Sequence, residues 1–478
     1  FISKRGQRYI GRERIGIIQI QFISYNFSDE LKWLPSENAK KFIVENNLTT
    51  SPKERMVMKN YKTVMLGSVA TSALLLGAAA VTTPALAKNV EVGHKKGSFY
   101  LKTKDGKFSV ITGAQIQIAY EYKENDSERA GDGNTNETGF RARRVRFGVK
   151  GRAGHKKLTY KVSLNVATNS DSEVDGDSGM HIFDSYLQWK FAKSLALRAG
   201  TWKQRFSEYA SNSNGKLQFT NKNRGTSNLG RKERDSGIGI NGKLFKMLSY
   251  ELAIINGNTR KAPSSNSNQS FAGSLKIEPF GKFGSPYEGD IKNSKKLKVM
   301  AAVAGFYKDN VTFSTRGNQN TFISLAGNAD IVGWTVGAGM KWRGLGIFGE
   351  YNTQRFHDAD TNINAGTAKQ AGEKLIAWNI EASYFILPKK WSVAGRYEQF
   401  NPNTKVTSTS NAALANAGQN GEVRFGLATS YYFRGQAHKV TADWVQEQRH
   451  GTGSTGVGGT TTTDTADNKF RVQWQTRF

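Results

Sequence analysis

The chain has 478 residues, no cysteine and a formal net charge of +29. The absence of cysteine excludes disulfide scaffolds, thiolate nucleophiles and Cys-ligated metal sites. Its 50 glycines, 27 phenylalanines, 17 tyrosines and 9 tryptophans are typical of many short, aromatic-rich strands joined by small polar loops. The positive charge is spread along the chain without a basic tail or a nucleic-acid-binding motif. We therefore expect no nucleic-acid partner.

Residues 56–87 have the pattern of a secretory signal peptide. Lys59 and Lys62 precede an apolar stretch that closes on a small-x-small site, which predicts cleavage between Ala87 and Lys88. A transmembrane helix is the alternative, but Gly, Ser and Thr interrupt the apolar stretch.

The chain on either side of this segment divides into three parts. Residues 1–55 precede the candidate start codons and show no sustained periodicity, so we expect an upstream extension that is not native or is disordered. Residues 88–107 are predicted to be a periplasmic N-terminal segment. Residues 108–478 are predicted to form an outer-membrane β-barrel.

Period-2 alternation of apolar and polar residues predicts this barrel. The last ten residues alternate in this way, with Phe470, Val472, Trp474, Thr476 and Phe478 on one face and Arg471, Gln473, Gln475 and Arg477 on the other. No other segment is apolar enough for a membrane helix, so a membrane-spanning form must be a closed barrel that pairs every backbone group.

The predicted fold is all-β: a transmembrane antiparallel barrel of sixteen strands, from 108–122 to 467–478. Long connections follow the odd strands and tight turns follow the even ones, as in outer-membrane barrels. The stretch 280–295 breaks this rule because it is long where a periplasmic turn is expected. A miscounted strand pair is the alternative there.

Basic residues recur on the polar face of these strands, where they would line the lumen. Arg and Lys near a low-dielectric wall attract oxyanions, and Arg can hold an oxyanion through two parallel hydrogen bonds. The predicted anion pathway comprises Arg144, Arg146, Lys150, Lys161, Lys190, Arg198, Arg396, Arg424 and Arg471. Alternatively, these are ordinary lumen residues balanced by acids, for which the candidates are Asp184, Glu350, Glu381, Glu398 and Asp443.

The longest loop, 204–235, follows the fifth strand and is predicted to fold into the lumen and narrow it. A basic constriction would raise the local concentration of anions. The basic residues expected at this constriction are Lys203, Arg205, Lys216, Arg224 and Arg231. A solvated extracellular loop is the alternative.

Four segments, in order, resemble the phosphate-selective porin family of the O and P type. They are Asp105-Gly106-Lys107-Phe108 with Gly113 and Gln117, Arg143 to Gly151, Leu197 to Lys203 with Phe206, and Gly230 to Asp235 with Gly237, Gly239 and Gly242. The chain departs from the family at Gln115, where Arg is common, and at Gln204-Arg205, where Glu-Pro is usual. The resemblance implies a homotrimer of sixteen-stranded barrels whose lumen arginines and lysines conduct anions.

The predicted function is an outer-membrane porin for passive, anion-selective diffusion, of phosphate or similar oxyanions. A general or sugar-conducting porin is one alternative, with Trp202 and Tyr432 as candidate stacking residues, and a plugged adhesive or structural barrel is another. No histidine lies near a nucleophile motif or has metal-ligand spacing, so we expect no enzyme, metal or cofactor. Other expected partners are outer-membrane lipid, lipopolysaccharide and the barrel-assembly machinery, for which Phe478 would be the assembly signal.

Overall fold

The computed structural model of the chain describes residues 89–95, 98–124, 136–166, 181–223, 234–257, 269–313, 327–357, 374–401, 422–455 and 459–478. The predicted signal peptide with its cleavage site, and residues 1–55, lie outside them. The described residues form these strands: β1 (Val90–Lys95), β2 (Ser98–Thr103), β3 (Ser109–Glu124), β4 (Glu137–Arg152), β5 (Leu158–Asn165), β6 (His181–Lys190), β7 (Ala196–Lys203), β8 (Arg234–Leu244), β9 (Leu248–Ile255), β10 (Ser270–Ile277), β11 (Lys298–Phe313), β12 (Gly327–Trp342), β13 (Leu345–His357), β14 (Lys374–Leu387), β15 (Trp391–Asn401), β16 (Glu422–Tyr432), β17 (His438–Thr455) and β18 (Gly459–Arg477).

Strands β3 to β18 form a closed antiparallel barrel. Each strand pairs with the next along the chain, and β18 pairs with β3 in the register Arg477↔Gln115 to Asn468↔Glu124. These are sixteen strands, as the alternation predicts. Outside the barrel, β1 pairs with β2, and β2 pairs with the first residues of β3.

Alternation places polar side chains in the lumen and apolar ones on the outer wall. In β14, Asn379 and Glu381 are buried, whereas their neighbours Ile380 and Tyr384 are about half exposed. The same holds in β18, where Gln473 is buried and Trp474 is exposed on the outer face. Aromatic side chains on the outer wall near the short-turn end include Trp342, Trp391, Tyr431 and Phe433. Such an apolar outer face with aromatic belts is typical of a barrel that contacts lipid.

None of the helices in the described residues is long and apolar enough to cross a membrane.

The short turns lie at one end of the barrel and include 153–157, 191–195, 343–344 and 433–437. The connection 278–297 between β10 and β11 lies at this same end but is much longer. It contains no strand, only the 3-10 turn Pro286–Glu288, so the described structure has no additional strand pair there. Instead this segment, here called the inner turn, folds inward: Ser285 to Asp290 are all buried.

Candidate functional site

The lumen is the candidate site, and the connection after β7 crosses it. Residues 204–223 form the single-turn helix α1 (Glu208–Ser211) and a 3-10 turn (Asn214–Lys216). Tyr209, Leu217 and Phe219 in this segment are at most 1% exposed. The prediction of an inward-folded loop at 204–235 is therefore confirmed for residues 204–223, which are called the constriction loop below; residues 224–233 lie outside the described residues.

Buried polar groups of the barrel wall hold the constriction loop at its start. The hydroxyl of Ser207 accepts from the backbone N–H of Ala210, which caps α1. The same hydroxyl donates to Glu350, and the second oxygen of Glu350 accepts from the backbone N–H of Tyr209 at 3.2 Å. On the other side, the Arg396 guanidinium donates to the Tyr209 hydroxyl at 2.7 Å. Glu350 therefore binds the loop rather than a basic side chain.

The remainder of the loop is bound by strands β16 to β18 and β3. Lys439 donates to the carbonyl of Leu217, and Gln475 donates to that of Gly215 at 3.0 Å. A Cβ at Gly215 would lie 3.1 Å from side-chain atoms of both Gln115 and Arg477, so the loop contacts the wall closely. The lumen side of β13 to β18 and β3 is therefore covered by the loop, and we call it the covered wall.

Four of the predicted pathway residues are buried on this side of the barrel, and two of them, Arg144 and Arg396, contact the loop directly. Arg396 lies 3.1 Å from Glu398, and Arg471 lies 3.0 Å from Asp443. Arg424 lies 2.6 Å from Glu447 and 3.3 Å from Glu422. Arg144 donates to Gln117 and to the carbonyl of Thr220. Arg144, Arg396, Arg424 and Arg471 are each at most 7% exposed.

The other five predicted pathway residues lie on β4 to β7 and are more accessible; this lumen face is called the open wall. Lys161 pairs with Asp184 at 2.6 Å, and its side chain remains 38% exposed. Arg198 pairs with Glu251 at 3.2 Å and lies over the rings of Tyr186 and Trp202. Arg146 donates to Asn165 and lies over the ring of Phe183.

Lys150 and Lys190 are the most exposed of these five and lie near the short-turn end of the barrel. Register pairs Lys150 with Lys161, and Lys190 with Ala196, so both lysines share the lumen face with their partners. Within the described part of the chain, neither lysine contacts a carboxylate. Both line a cavity of about 400 Å³ that also includes Lys102 of the N-terminal hairpin. Positive charge in this cavity is thus only partly balanced.

The predicted constriction residues likewise differ in their exposure and in their partners. Lys203 ends β7 and donates to the carbonyl of Asn212 at 3.4 Å, and Arg205 is exposed. Lys216 lies 3.6 Å from Glu288 of the inner turn, and its side chain is 38% exposed. Arg224 and Arg231 lie outside the described residues.

The sequence of the barrel matches one known family. The family described as "phosphate-selective porin O and P" matches residues 111–475, which extend from β3 to β18. The chain belongs to this family. No curated protein gave a significant match.

Solved outer-membrane porins are similar to this porin at low sequence identity. An anion-selective porin from Comamonas acidovorans has 11% identity and a TM-score of 0.52, and covers 77% of this chain and 99% of its own. The outer-membrane channel DcaP of Acinetobacter baumannii has 14% identity, coverages of 79% and 99%, and a TM-score of 0.49. The similarity to the porin of Comamonas acidovorans supports a porin barrel. Because 99% of that chain is covered, the similarity extends over a whole porin.

Several lumen residues of this porin were not singled out from its sequence. Arg143 enters the lumen because a β-bulge between Gln117 and Ile118 leaves it without a register partner, and it lies 3.5 Å from Glu121. Period-2 counting assigns Arg143 to the outer wall, so no sequence signal was available. Lys439 and Lys469, by contrast, could have been predicted to face the lumen. They lie an even number of residues from Asp443 and Arg471 on the same strands, so alternation places them on the same face.

Proposed function

We propose that this porin allows passive, anion-selective diffusion through the outer membrane, with phosphate or similar oxyanions as its substrates. The observation that carries the proposal is the open wall, where five basic side chains remain at least partly accessible. Lys150 and Lys190 contact no carboxylate among the described residues, so their charge is available to an ion in the lumen. Cationic side chains lining a channel favour anions.

The division of the lumen supports a path along the open wall. On the covered wall, Arg396, Arg424 and Arg471 are buried and already have carboxylate partners, and Arg396 also donates to the Tyr209 hydroxyl and the Asn221 carbonyl of the constriction loop. A buried charge that is paired with a carboxylate acts less on ions in the lumen than a solvated one. Lys161 and Arg198 also have acidic partners, but water reaches their side chains. Successive basic groups of this kind would let an anion move from one to the next.

Family membership supports the choice of phosphate among anions, and the anion-selective porin of Comamonas acidovorans supports the choice of charge. Gln115 and Gln117 are neutral lumen groups at the covered wall and offer no positive charge to phosphate. We therefore assign the phosphate preference to the basic residues of the open wall. We further propose a homotrimer, in contact with outer-membrane lipid and lipopolysaccharide and inserted by the barrel-assembly machinery. We also propose that the signal peptide at 56–87 directs export and that the protein has no enzymatic activity.

Planar-bilayer recording tests this function. Residues 88–478 are purified and reconstituted, and single-channel current and reversal potential are measured in a KCl gradient while phosphate is titrated. We expect a reversal potential that indicates chloride preference and a current that low phosphate concentrations block. Cation preference would contradict the basic open wall. Conductance blocked by a neutral sugar but not by phosphate would favour a sugar porin, and no conductance would favour a plugged or adhesive barrel.

A further inference from the structure

The constriction loop also contacts the inner turn, a segment that enters the lumen from the short-turn end of the barrel. The backbone N–H of Gln218 donates to the carbonyl of Tyr287 at 3.1 Å. The Gln218 side-chain amide donates to the carbonyl of Glu288 at 2.9 Å. The hydroxyl of Ser285 also donates to the side-chain oxygen of Asn212. Two main-chain carbonyls and a hydroxyl of the inner turn thus bind the tip of the loop.

An apolar cluster joins the two segments and the wall. It comprises Tyr209 and Leu217 of the loop, Phe283 and Tyr287 of the inner turn, and Met300 and Phe348 of the wall. The ring of Tyr287 lies edge-on to Tyr209 at 3.7 Å between centroids and to Phe348 at 4.8 Å. Its hydroxyl donates to Asn379 of β14 at 2.8 Å. Tyr287 therefore contacts both the loop and the barrel wall.

The inner turn itself is built as a rigid element. Ser285 and Glu288 form a capping box around Pro286–Glu288, and Lys341 of β12 donates to the Ser285 carbonyl at 2.6 Å. Gly289 has φ of 61°, and a Cβ there would lie 2.5 Å from Gln218 and 2.6 Å from Ser383. Only glycine fits this backbone conformation so close to both neighbours.

We propose that the inner turn positions the constriction loop, with Tyr287 as the central positioning residue. The width and selectivity of the passage then depend on a periplasmic segment as well as on the loop that crosses the lumen. The inner turn holds the tip of the loop against the covered wall, away from the open wall. This proposal rests on the proposed channel function, but the contact between the two segments can be tested without conduction.

The first test uses the absence of cysteine from the chain. Asn212→Cys and Ser285→Cys replace two side chains in direct contact, so mild oxidation should join the loop to the inner turn by a disulfide. Peptide mapping after digestion measures the yield. The pair Asn212→Cys with Leu297→Cys is the control, because Leu297 is exposed at the end of the inner turn. Equal yields from both pairs, or no disulfide between 212 and 285, would overturn the docked arrangement.

The second test compares substitutions at Tyr287 in bilayers. Tyr287→Ala removes the ring between loop and wall, so we expect higher single-channel conductance, more frequent current fluctuations and a reversal potential closer to zero. Tyr287→Phe keeps the ring and loses only the bond to Asn379, so it should restore values near those of the wild type. Leu387→Ala is the matched apolar truncation at an exposed position, at the end of β14 and outside the inner turn, and should change none of them. Heat-dependent electrophoretic mobility checks that each variant forms a folded barrel.

The outcomes separate the two proposals. A folded Tyr287→Ala channel with wild-type conductance, noise and selectivity would overturn the role of the inner turn and leave the porin function intact. A wild type that does not conduct would remove the channel function, and the yield of the 212–285 disulfide would still show whether loop and turn are docked. If Tyr287→Ala does not fold, the Cys pair replaces it: current noise should be lower in the oxidised channel than in the reduced one, and equal noise would overturn the proposal.

Discussion

Two lysines near the short-turn end of the lumen differ from the other basic lumen residues in their surroundings. Lys150 and Lys190 are exposed and contact no carboxylate among the described residues, whereas Arg424 is buried beside two carboxylates. A solvated charge acts on passing ions, and a buried, paired charge mainly stabilises the structure around it. The contribution of a basic residue to selectivity is therefore set by its exposure and partners.

We predict that Lys150→Glu with Lys190→Glu weakens anion selectivity. Two positive charges in the cavity near the short-turn end become negative, so chloride is attracted less and the reversal potential in a KCl gradient should move toward cation preference. Lys389→Glu with Lys390→Glu is the control, because it makes the same two charge reversals at an exposed turn between β14 and β15. An unchanged reversal potential in the double variant would show that the open wall does not select anions.

Paired charges on the covered wall should affect stability instead. Glu447 lies 2.6 Å from Arg424 and 3.1 Å from Lys469, and its side chain is fully buried. Glu447→Gln leaves two buried cations without this carboxylate, which should lower the free energy of unfolding by about 3–5 kcal/mol. Denaturant titration in detergent micelles measures the change. Glu137→Gln is the control: its pair with Lys123 is 3.7 Å long and exposed, and should contribute at most about 1 kcal/mol.

At the scale of elements, the inner turn begins with an ionised carboxylate. Burial raises the pKa of Glu278, but the backbone N–H of Phe283 and the cations Lys276 and Lys243 outweigh it and hold the pKa below its usual 4.5. Its carboxylate accepts from the Phe283 N–H at 3.0 Å and lies 3.3 Å from Lys243. The charged form of Glu278 thus fixes the first residues of the inner turn.

This arrangement predicts an acid-sensitive inner turn. Because the folded pKa is depressed, the stabilisation by Glu278 is fully present above its unfolded pKa near 4.5 and is lost as the pH falls through the folded pKa. The difference in unfolding free energy between wild type and Glu278→Gln should be about 1 kcal/mol at neutral pH and approach zero in acid. Denaturant titrations at a series of pH values measure it. A difference independent of pH below 4.5 would contradict the role of this carboxylate.

Elements with strict alternation were predictable from the sequence, and those without it were not. In β18, Phe470 to Phe478 alternate between two solvents, water and lipid, so the face and the strand follow directly from the residues. The inner turn offers no such signal. Its length at 280–295 was visible as an anomaly, but the inward fold depends on tertiary contacts of Tyr287 and Gln218.

The lumen site was predictable only in part for the same reason. Parity indicates that Arg198 and Arg396 share the lumen face, but it does not indicate which of them will contact the constriction loop. That difference arises from contacts between distant segments, such as that of Thr220 with Asp443. The bulge at Arg143 likewise places in the lumen a side chain that alternation assigns to the outer wall, and the types of residue around it do not indicate this change.

At the scale of the whole molecule, the barrel depends on one seam between its first and last strands. Phe478 is the last residue of this seam: its backbone N–H donates to Ala114 at 3.1 Å, and its carbonyl accepts from Ala114 at 2.6 Å. Beyond it, β3 pairs with β2 instead of β18. The N-terminal hairpin therefore continues the sheet where the C-terminal strand ends.

The backbone and the side chain of Phe478 have separable roles, which gives a last prediction. Deletion of Phe478 removes both backbone bonds to Ala114, so the purified barrel should lose about 1–3 kcal/mol of unfolding free energy. Phe478→Ala keeps those bonds and removes a half-exposed ring, so the purified barrel should keep near wild-type stability.

If that ring is the predicted assembly signal, Phe478→Ala should nevertheless reduce the amount of folded barrel in the outer membrane of cells. Phe433→Ala, which removes an exposed ring from the short turn between β16 and β17, is the control. Normal assembly of Phe478→Ala would exclude the side chain as the signal, because backbone closure alone would then suffice for insertion.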